Sequence, residues 1–275
     1  MSELQVNTEE KTEYKIEIRN VSFDYVQSKS KYEALREIDL NVKAGEFICI
    51  LGASGCGKST LLSLLSGLNR PKSGEILVDG KKIKGPGTDR AVVFQQYSLF
   101  PWLTVKGNVL FGIKQSGKKL GRKERNALAE KYVESVGLSA AKGRYPSQLS
   151  GGMKQRVAVA RALALESDVL LLDEPFGAID PKLRLELQEL VSKLCTEHKK
   201  TVVFITHDVD EAILLADRIV VMEPGRIKSI HKVSMPHPRV REELVGTTEY
   251  EKLHRQLIMA FYDQVAERID AGVAL

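Results

Sequence analysis

The sequence predicts an α/β protein with a mostly parallel core sheet, an N-terminal antiparallel β subdomain and an inserted helical subdomain. Two alternating segments with no helix between them open the chain, which favours antiparallel pairing. A stretch between residues 94 and 169 shows helical periodicity but no strand pattern. The remaining short apolar runs, several separated by helical periodicity, are typical of a sheet buried on both faces: 47–51, 75–78, 91–94, 169–172, 201–205 and 218–222.

Composition limits the class of protein. The chain has 275 residues, 43% of them hydrophobic and 28% charged, which is typical of a soluble globular protein with one or two domains. No apolar run approaches the roughly 18 residues that cross a bilayer. The first 13 residues are polar and acidic and contain no apolar core of a signal peptide. We therefore expect a cytoplasmic location.

Charge and cysteine content exclude two further classes. The net charge of +5 is spread thinly, and the densest basic patch, at residues 118–123, contains no aromatic residues for base stacking. We therefore expect no nucleic-acid partner. Three cysteines are an odd number in a chain of this length, so we expect no disulfide framework.

The predicted elements give the following domain boundaries. Residues 1–13 are expected to form a disordered tail, and 14–235 the main domain, with the helical subdomain inserted at about 97–160. Residues 14–25 are predicted as an edge strand that pairs with a second strand at 38–42. After residue 223 the strand pattern ends, and residues 236–275 are predicted as a helical extension. Within it, a stripe at Leu253, Leu257, Phe261 and Val265 favours an amphipathic helix packed on its own domain.

Two helix starts are predicted from capping residues. Asp180 precedes Pro181, which is the arrangement of an N-cap followed by proline at the first helical position. Asp208 and Glu211 have the spacing of a capping box for a helix that includes residues 212–215.

A glycine-rich loop lies between the apolar run 47–51 and a helical pattern that begins with Leu61. Strand, loop and helix in this order are the context of a P-loop, in which backbone N–H groups and the helix N-terminus bind phosphates. Lys58 would reach the β- and γ-phosphates, and Ser59 would ligate Mg²⁺. A dinucleotide-binding loop is not favoured, because Thr60 replaces its last glycine. The residues predicted to bind a nucleoside triphosphate here are Gly52, Ala53, Ser54, Gly55, Cys56, Gly57, Lys58, Ser59 and Thr60.

Two adjacent carboxylates end the apolar strand 169–172. Burying a charged group costs several kcal/mol unless the group is paired or lies near a metal. Asp173 and Glu174 are therefore predicted to have a functional role. Asp173 is placed to hold Mg²⁺ through its water shell, and Glu174 to activate the attacking water. Because Glu174 precedes Pro175, its backbone is expected to be extended. The alternative is two solvated acids at a strand end.

His207 and Gln95 also follow strands. His207 comes after the apolar run 201–205, and Gln95 after 91–94. Ligands bind at the carboxyl ends of strands in open parallel sheets, so these two side chains are expected to join Asp173 at one edge. A lone histidine or glutamine is otherwise more often structural.

Residues 149–156, Leu-Ser-Gly-Gly-Met-Lys-Gln-Arg, resemble the signature motif of ATP-binding cassette (ABC) transporter ATPases. The resemblance covers nearly the whole chain in the family's order. It implies that Tyr25 stacks on adenine, that Gln95 belongs to a Q-loop that contacts Mg²⁺, and that His207 is the switch histidine. Residues 177–180 match the D-loop but read Gly-Ala-Ile-Asp, and Met153 replaces the usual glutamine.

The resemblance also implies a homodimer. Ser150, Gly151 and Gly152 can form an N–H-rich helix start, which is a second anion site on the same chain. In the family two ATP molecules lie between the P-loop of one copy and the signature of the other. Ser150, Gly151, Gly152 and Asp180 are therefore expected to contact ATP in trans, and His207, Glu174 and Lys58 to act catalytically.

The segment from Gln95 to Trp102 indicates a subfamily. Its Leu-x-Pro-Trp element resembles importers of nitrate, sulfonates and taurine, in which this region contacts the transmembrane permease. An extracytoplasmic solute-binding protein and a position on the cytoplasmic face of the membrane are implied as well. Trp102 packing inside the helical subdomain is the structural alternative. The functional alternatives are an importer for another small solute, a P-loop phosphotransferase or other non-transport P-loop ATPase, and a soluble ABC ATPase that acts on nucleic acid or ribosomes.

Overall fold

The computed structural model describes residues 14–27, 30–177 and 179–270. The tail predicted at residues 1–13 lies outside them. Along the chain the elements are β1 (Tyr14–Gln27), β2 (Ser30–Lys43), β3 (Phe47–Leu51), α1 (Lys58–Leu65), β4 (Ser73–Val78), β5 (Lys81–Lys82), β6 (Arg90–Val93), α2 (Val105–Gln115), α3 (Arg122–Ser135), α4 (Gly151–Ala164), β7 (Val169–Asp173), α5 (Pro181–Glu197), β8 (Thr201–Thr206), α6 (Val209–Leu215), β9 (Arg218–Glu223), β10 (Arg226–Lys232), α7 (Arg241–Leu244) and α8 (Thr248–Asp270).

The core is a six-stranded sheet in the order β10-β9-β3-β8-β7-β6. The pairs β3–β8, β3–β9, β7–β8 and β6–β7 are parallel, and only the β9–β10 pair is antiparallel. Successive side chains of a strand point to opposite faces. Ile48 and Ile50 of β3 accordingly enter one apolar cluster, and Cys49 and Leu51 enter the other. The predicted α/β class with a sheet buried on both faces is confirmed.

A second, antiparallel sheet is formed near the N-terminus in the order β2-β1-β4-β5. Two details of the prediction are wrong. Strand β1 is not an edge strand, since it pairs with both β2 and β4. Strand β4, predicted in the core sheet, lies here, with Ile76 opposite Ile18. Its alternation of exposed and buried residues is that of a strand buried on one face only.

Strand β10 was not expected, because the strand pattern was predicted to end after residue 223. Gly225 adopts φ +76° in the turn that joins β9 to β10. The side chains of β10 alternate between exposed and partly buried, and the strand lies at the edge of the sheet. A half-buried edge strand rich in polar residues carries a weak apolar signal, which is why the sequence did not reveal it.

Three helices, α2, α3 and α4, lie between β6 and β7, and no strand occurs among the described residues 94–168. Helix α2 was not predicted; it begins after Thr104, whose hydroxyl accepts a hydrogen bond from Gly107 N at 3.1 Å. The domain boundaries at 97–160 and 236–275 stay predictions.

The C-terminal helix α8 packs on the core. Leu253 is 9% exposed and Leu257 is fully buried, as the apolar stripe predicted. The side chain of Val265 lies outside the described part of the helix. Cys49, Cys56 and Cys195 are buried, and none of the three forms a disulfide in the part of the chain that the structure describes. None of the helices, over the residues described, is long and apolar enough to cross a membrane.

Lys15 joins the two sheets. Its ammonium lies 2.8 Å from Asp79 Oδ2 and 2.7 Å from Asp168 Oδ2, so β1 is tied to the residue that precedes β7. Its side chain is 10% exposed, whereas the two carboxylates are 55% and 72% exposed. Burial lowers the pKa of Lys15, but the hydrogen bonds and charges of Asp168 and Asp79 outweigh it and raise the pKa above the ordinary value.

Replacing Lys15 by methionine should lower the free energy of unfolding by about 1–2 kcal/mol, because both carboxylates lose their partner but can regain water. Urea denaturation measures the change. Lys81→Met, at an exposed position of β5, is the matched control and should be nearly neutral. Equal stability of the two variants would contradict the role given to Lys15.

Candidate functional site

The predicted site residues follow the carboxyl ends of neighbouring parallel strands. Strands β3, β8, β7 and β6 are consecutive in the core sheet, so their carboxyl ends lie along one edge. Gly52 follows β3, Asp173 ends β7, and His207 follows β8. The sheet therefore brings together residues that are more than a hundred positions apart in the chain.

The glycine loop after β3 is packed closely against its surroundings. Gly57 has φ +114°, and a Cβ there would lie 2.8 Å from the Ala34 carbonyl oxygen. A Cβ on Gly52 would lie 2.8 Å from the carbonyl oxygen of Met222. Backbone conformation and close approach thus both require glycine in this loop.

Lys58, the first residue of α1, lies over this loop. Its side chain donates hydrogen bonds to Gly52 O at 2.7 Å and Ala53 O at 3.0 Å, and the residue is 5% exposed. Ser54, Gly55 and Ser59 are exposed, so the loop faces solvent on its other side. An ammonium group, loop amides and the N-terminus of α1 form an arrangement that binds phosphate groups.

Tyr25 lies beside the start of α1. Its hydroxyl is 3.4 Å from Thr60 Oγ1, and its ring packs edge-on against Phe23 with centroids 4.9 Å apart. Tyr25 is 42% exposed. The ring is therefore fixed next to the glycine loop with a free surface, which suits stacking on a planar group.

Asp173 and Glu174 differ in their surroundings. Burial, and next the charge of Glu174, raise the pKa of Asp173, whereas the charge of Lys58 lowers it. A half-buried carboxylate next to a second carboxylate is stabilised by a cation. Mg²⁺ is typically held by one or two carboxylates together with waters and phosphate oxygens. The carboxylate of Asp173 and the hydroxyl of Ser59 fit such a site, and Gln95 adds an amide oxygen to the donor set.

The Glu174 carboxylate contacts two other predicted residues. Glu174 Oε2 lies 3.3 Å from His207 Nδ1 and 3.4 Å from Gln95 Nε2. The expectation of an extended backbone is wrong, since Glu174 has φ +40°. The amide of Glu174 still donates to Ile205 O at 3.0 Å, which continues the β7–β8 ladder by one bond. The left-handed conformation of Glu174 therefore lies at the point where the chain leaves the sheet. Such a conformation costs on the order of 1–3 kcal/mol, and it persists where the surrounding structure enforces it.

Three residues behind His207 were not recognised as part of the site. Thr206 Oγ1 donates to Glu211 Oε2 at 2.6 Å and accepts from Asp208 N at 3.0 Å, and Gln188 Nε2 donates to Glu211 Oε1 at 3.0 Å. Glu211 is 6% exposed, and this burial is the main cause of its raised pKa.

The predicted capping box is therefore only half correct. Asp208 does cap α6, accepting from Asp210 N and Glu211 N, but the Glu211 side chain bonds to Thr206 instead of the Asp208 amide. The sequence offered one indication of this network, since Thr206 is a polar residue at the end of an apolar strand. Gln188, the hydrogen-bond partner of Glu211 on α5, could not be identified from the sequence.

The signature and D-loop residues begin two neighbouring helices. Ser150 is the N-cap of α4, with its Oγ accepting from Met153 N, and Asp180 caps α5 with Oδ1 3.1 Å from Leu183 N. A Cβ on Gly152 would overlap the Leu183 side chain, so glycine lets α4 and α5 approach. Ser150 and Gly151 are exposed. The predicted start of a helix at Ser150 is confirmed, whereas the role of its N–H groups as an anion site stays a prediction. Ala178 lies outside the described residues.

Trp102 lies on the surface, with 70% of the residue exposed. The alternative in which it packs inside the helical region is therefore wrong. Its ring contacts Phe100 at a centroid distance of 5.5 Å, and Phe100 contacts Phe111 at 4.5 Å. The guanidinium of Arg161 covers the Phe100 ring at 5.5 Å and donates to Ser98 O at 2.7 Å. An exposed aromatic cluster on a braced segment is typical of a protein-binding surface.

Comparison with protein families finds a match over residues 35–177, just over half of the chain, to the family described as ABC transporter. The match contains the glycine loop, the signature motif and the two carboxylates that end β7.

Two characterised relatives come from Synechococcus elongatus. The bicarbonate transport ATP-binding protein CmpC is 49% identical over 83% of this chain, but the alignment spans only 35% of CmpC. The nitrate import ATP-binding protein NrtD is 45% identical over 87% of this chain and 88% of its own length. The chain thus spans about a third of one relative and most of the other.

Among solved structures, a dimeric ATP-binding cassette in a post-hydrolysis state, bound to ADP and Pi, is 34% identical with a TM-score of 0.73. The superposition covers 80% of this chain and 100% of that chain. Family match, relatives and structural likeness agree with the motif order and with the sheet described above. The chain belongs to the ABC transporter family.

Proposed function

We propose that the chain is the ATP-hydrolysing subunit of an ABC importer for a small anion. The observation that carries this proposal is the meeting of Glu174, His207 and Gln95 at one edge of the core sheet, beside the P-loop. Binding of phosphate alone would need only the loop and Lys58. A carboxylate held by a histidine and an amide near that loop supports a reaction as well as binding.

Hydrolysis would proceed by attack of water on the γ-phosphate. Lys58 and the loop amides would hold the β- and γ-phosphates, with Ser59, Gln95 and Asp173 as the residues toward Mg²⁺. The metal, bound with ATP, would neutralise charge on the phosphate oxygens. Glu174 would take the proton of the attacking water, and His207 would hold the Glu174 carboxylate in position relative to the γ-phosphate.

A homodimer would complete each site. Ser150, Gly151 and Gly152 of one copy would offer the N-terminus of α4 to the γ-phosphate bound by the other copy, with Asp180 close by. The solved cassette with 34% identity is dimeric, which supports a dimer of this chain. Because the γ-phosphate would bridge the two copies, its loss on hydrolysis would let them separate.

The segment from Gln95 to the exposed Trp102 would contact the transmembrane permease. Gln95 reaches the Glu174 carboxylate at one end of this segment, and the aromatic cluster around Trp102 lies at the other. A movement of the permease would thereby be transmitted through this segment to the Glu174 carboxylate. We place the subunit on the cytoplasmic face of the membrane, with a solute-binding protein on the other side completing the importer.

The transported solute is proposed to be a small oxyanion or organosulfonate. Relatives named for bicarbonate transport and nitrate import support the class of small anions. Reconstitution with candidate permease and binding-protein subunits, followed by measurement of nitrate, bicarbonate and taurine uptake, tests the proposal. ATP-dependent uptake of a different solute would support the alternative importer, and transfer of phosphate to a small acceptor would support a phosphotransferase.

Glu174→Gln should retain ATP binding, lower kcat by about 10²–10⁴-fold, and accumulate an ATP-bound dimer, because the amide cannot accept a proton. Phosphate release and size-exclusion chromatography with ATP measure these effects. Glu189→Gln, at an exposed position on α5, is the control. Normal turnover of Glu174→Gln would refute the general-base assignment.

Lys58→Ala should weaken ATP binding by roughly 10- to 150-fold, the effect of losing about 1.5–3 kcal/mol of charge-assisted hydrogen bonding. Titration with a fluorescent ATP analogue measures the dissociation constant, and thermal unfolding checks that the variant is folded. The control is Lys131→Ala, at an exposed position of α3. Unchanged affinity in Lys58→Ala would count against the P-loop assignment.

Trp102→Ala should leave basal ATP hydrolysis within about twofold but weaken binding to the permease by about 30-fold, the effect of one aromatic hot spot of about 2 kcal/mol. Binding to the detergent-purified permease measures the loss. Leu68→Ala replaces another exposed apolar residue, 58% exposed, as a control. Equal permease binding by both variants would exclude Trp102 from the interface.

A further inference from the structure

Helix α6 carries the switch histidine at its N-terminal end. His207 and the N-cap Asp208 directly precede the helix, and the Asp208 carboxylate accepts from Asp210 N at 2.9 Å and Glu211 N at 3.2 Å. The helix is only 7 residues long, from Val209 to Leu215. A helix of about two turns has little stability of its own. The position of His207 therefore depends on what holds α6 from outside.

The C-terminal end of α6 is held by Arg239. Its guanidinium donates to Ile213 O at 3.0 Å and Ala216 O at 2.6 Å, and also to Met235 O in its own segment at 2.8 Å. Carbonyl groups in the last turn of a helix have no partner within the helix, and a cation there is favoured by the helix dipole. The chain after β10 thus anchors itself to the end of α6.

The N-terminal end of α6 is held through Asp210. Arg241 Nη2 lies 2.6 Å from Asp210 Oδ2, and the Tyr250 hydroxyl donates to Asp210 Oδ1 at 2.5 Å. His254 Nε2 lies 3.5 Å from the same carboxylate, and its ring is stacked on that of Tyr250. Tyr250 is 6% exposed, so its hydroxyl bond is shielded from water.

Helix α8 closes the side of α6 between these two ends. Leu253 and Leu257 belong to the same apolar cluster as Ala212 and Ile213. A cavity of about 270 Å³ is lined by His207 and Asp210 together with residues of α8, so the switch histidine and α8 share one face of the molecule. Apolar packing is not directional, whereas the bonds to Asp210 restrain both the position and the rotation of the helix start.

We propose that the C-terminal segment 235–258 positions the switch histidine, with Asp210, Arg241 and Tyr250 as positioning residues. By fixing the start of α6 they keep His207 within reach of the Glu174 carboxylate, which lies 3.3 Å away. None of the three is placed to touch ATP. This inference rests on the proposed ATP hydrolysis, and it assigns a task to a segment outside the motifs of the nucleotide site.

The test compares Tyr250→Phe, Arg241→Ala and Arg241→Lys in the full chain. Arg255→Ala is the control, because Arg255 is an exposed residue of α8, the helix that contains Tyr250. Hydrogen exchange of peptides spanning residues 206–212 should rise roughly three- to tenfold in Tyr250→Phe and Arg241→Ala, the effect of one lost hydrogen bond. Turnover should show a fall in kcat of similar size, with KM for ATP within about twofold. Arg241→Lys should restore most of both, and Arg255→Ala should match the wild type.

Several results would overturn the inference. Exchange and kcat of Tyr250→Phe and Arg241→Ala equal to those of Arg255→Ala would do so, while leaving the proposed function intact if Glu174→Gln is inactive. Faster exchange at 206–212 with unchanged kcat, or faster exchange spread equally over β3, would also overturn it. A wild-type chain without ATP hydrolysis would refute the proposed function, and the exchange experiment would still show whether the segment holds α6.

Discussion

The register between β7 and β8 is the constraint on which the proposed site depends. Asp173 pairs with Ile205, and the next amide, that of Glu174, donates to the Ile205 carbonyl. This places Glu174 beyond the sheet edge with its carboxylate toward His207, which follows β8 by one residue. A slip of one residue would send Asp173 and Glu174 to the opposite faces of the sheet, because side chains alternate along a strand.

The same edge of the sheet explains why the P-loop and the carboxylates act together. Strand β3 lies next to β8, so the loop that follows β3 opens beside His207. Burial and the charge of Glu174 raise the pKa of Asp173, and the positive charge of Lys58 lowers it by less. The two proposed roles, phosphate binding and water activation, thus depend on separate local motifs, which the order of the parallel strands brings together. By contrast, Ser150 caps a helix in the inserted region, which suits a site completed by a second copy.

The residues around α6 extend the site in two directions. On the buried side, Glu211 connects Thr206 to Gln188 of α5, the helix that Asp180 caps. On the other side, Asp210 connects α6 to the C-terminal segment. His207 therefore directly precedes a short helix that is held between α5 and the C-terminal segment 235–258. Such an arrangement gives rigidity to a helix that has little of its own.

The sequence by itself determined the residues whose role depends on local chemistry: the glycine loop with Lys58, the acids after β7 and the N-cap at Asp180. Their spacing within one strand, loop or helix start is enough to identify them as candidates. The sequence did not reveal helix α2, in which Gly107 and Gly112 lower the helix propensity. It also did not reveal strand β10 or the placement of β4, because a strand buried on one face only carries a weaker apolar signal. Only the tertiary structure decided the φ of Glu174, the exposure of Trp102 and the contact of Tyr250 with Asp210. Each of these depends on contacts between residues far apart in the chain. Such contacts, unlike a motif, have no fixed spacing in the sequence from which they could be predicted.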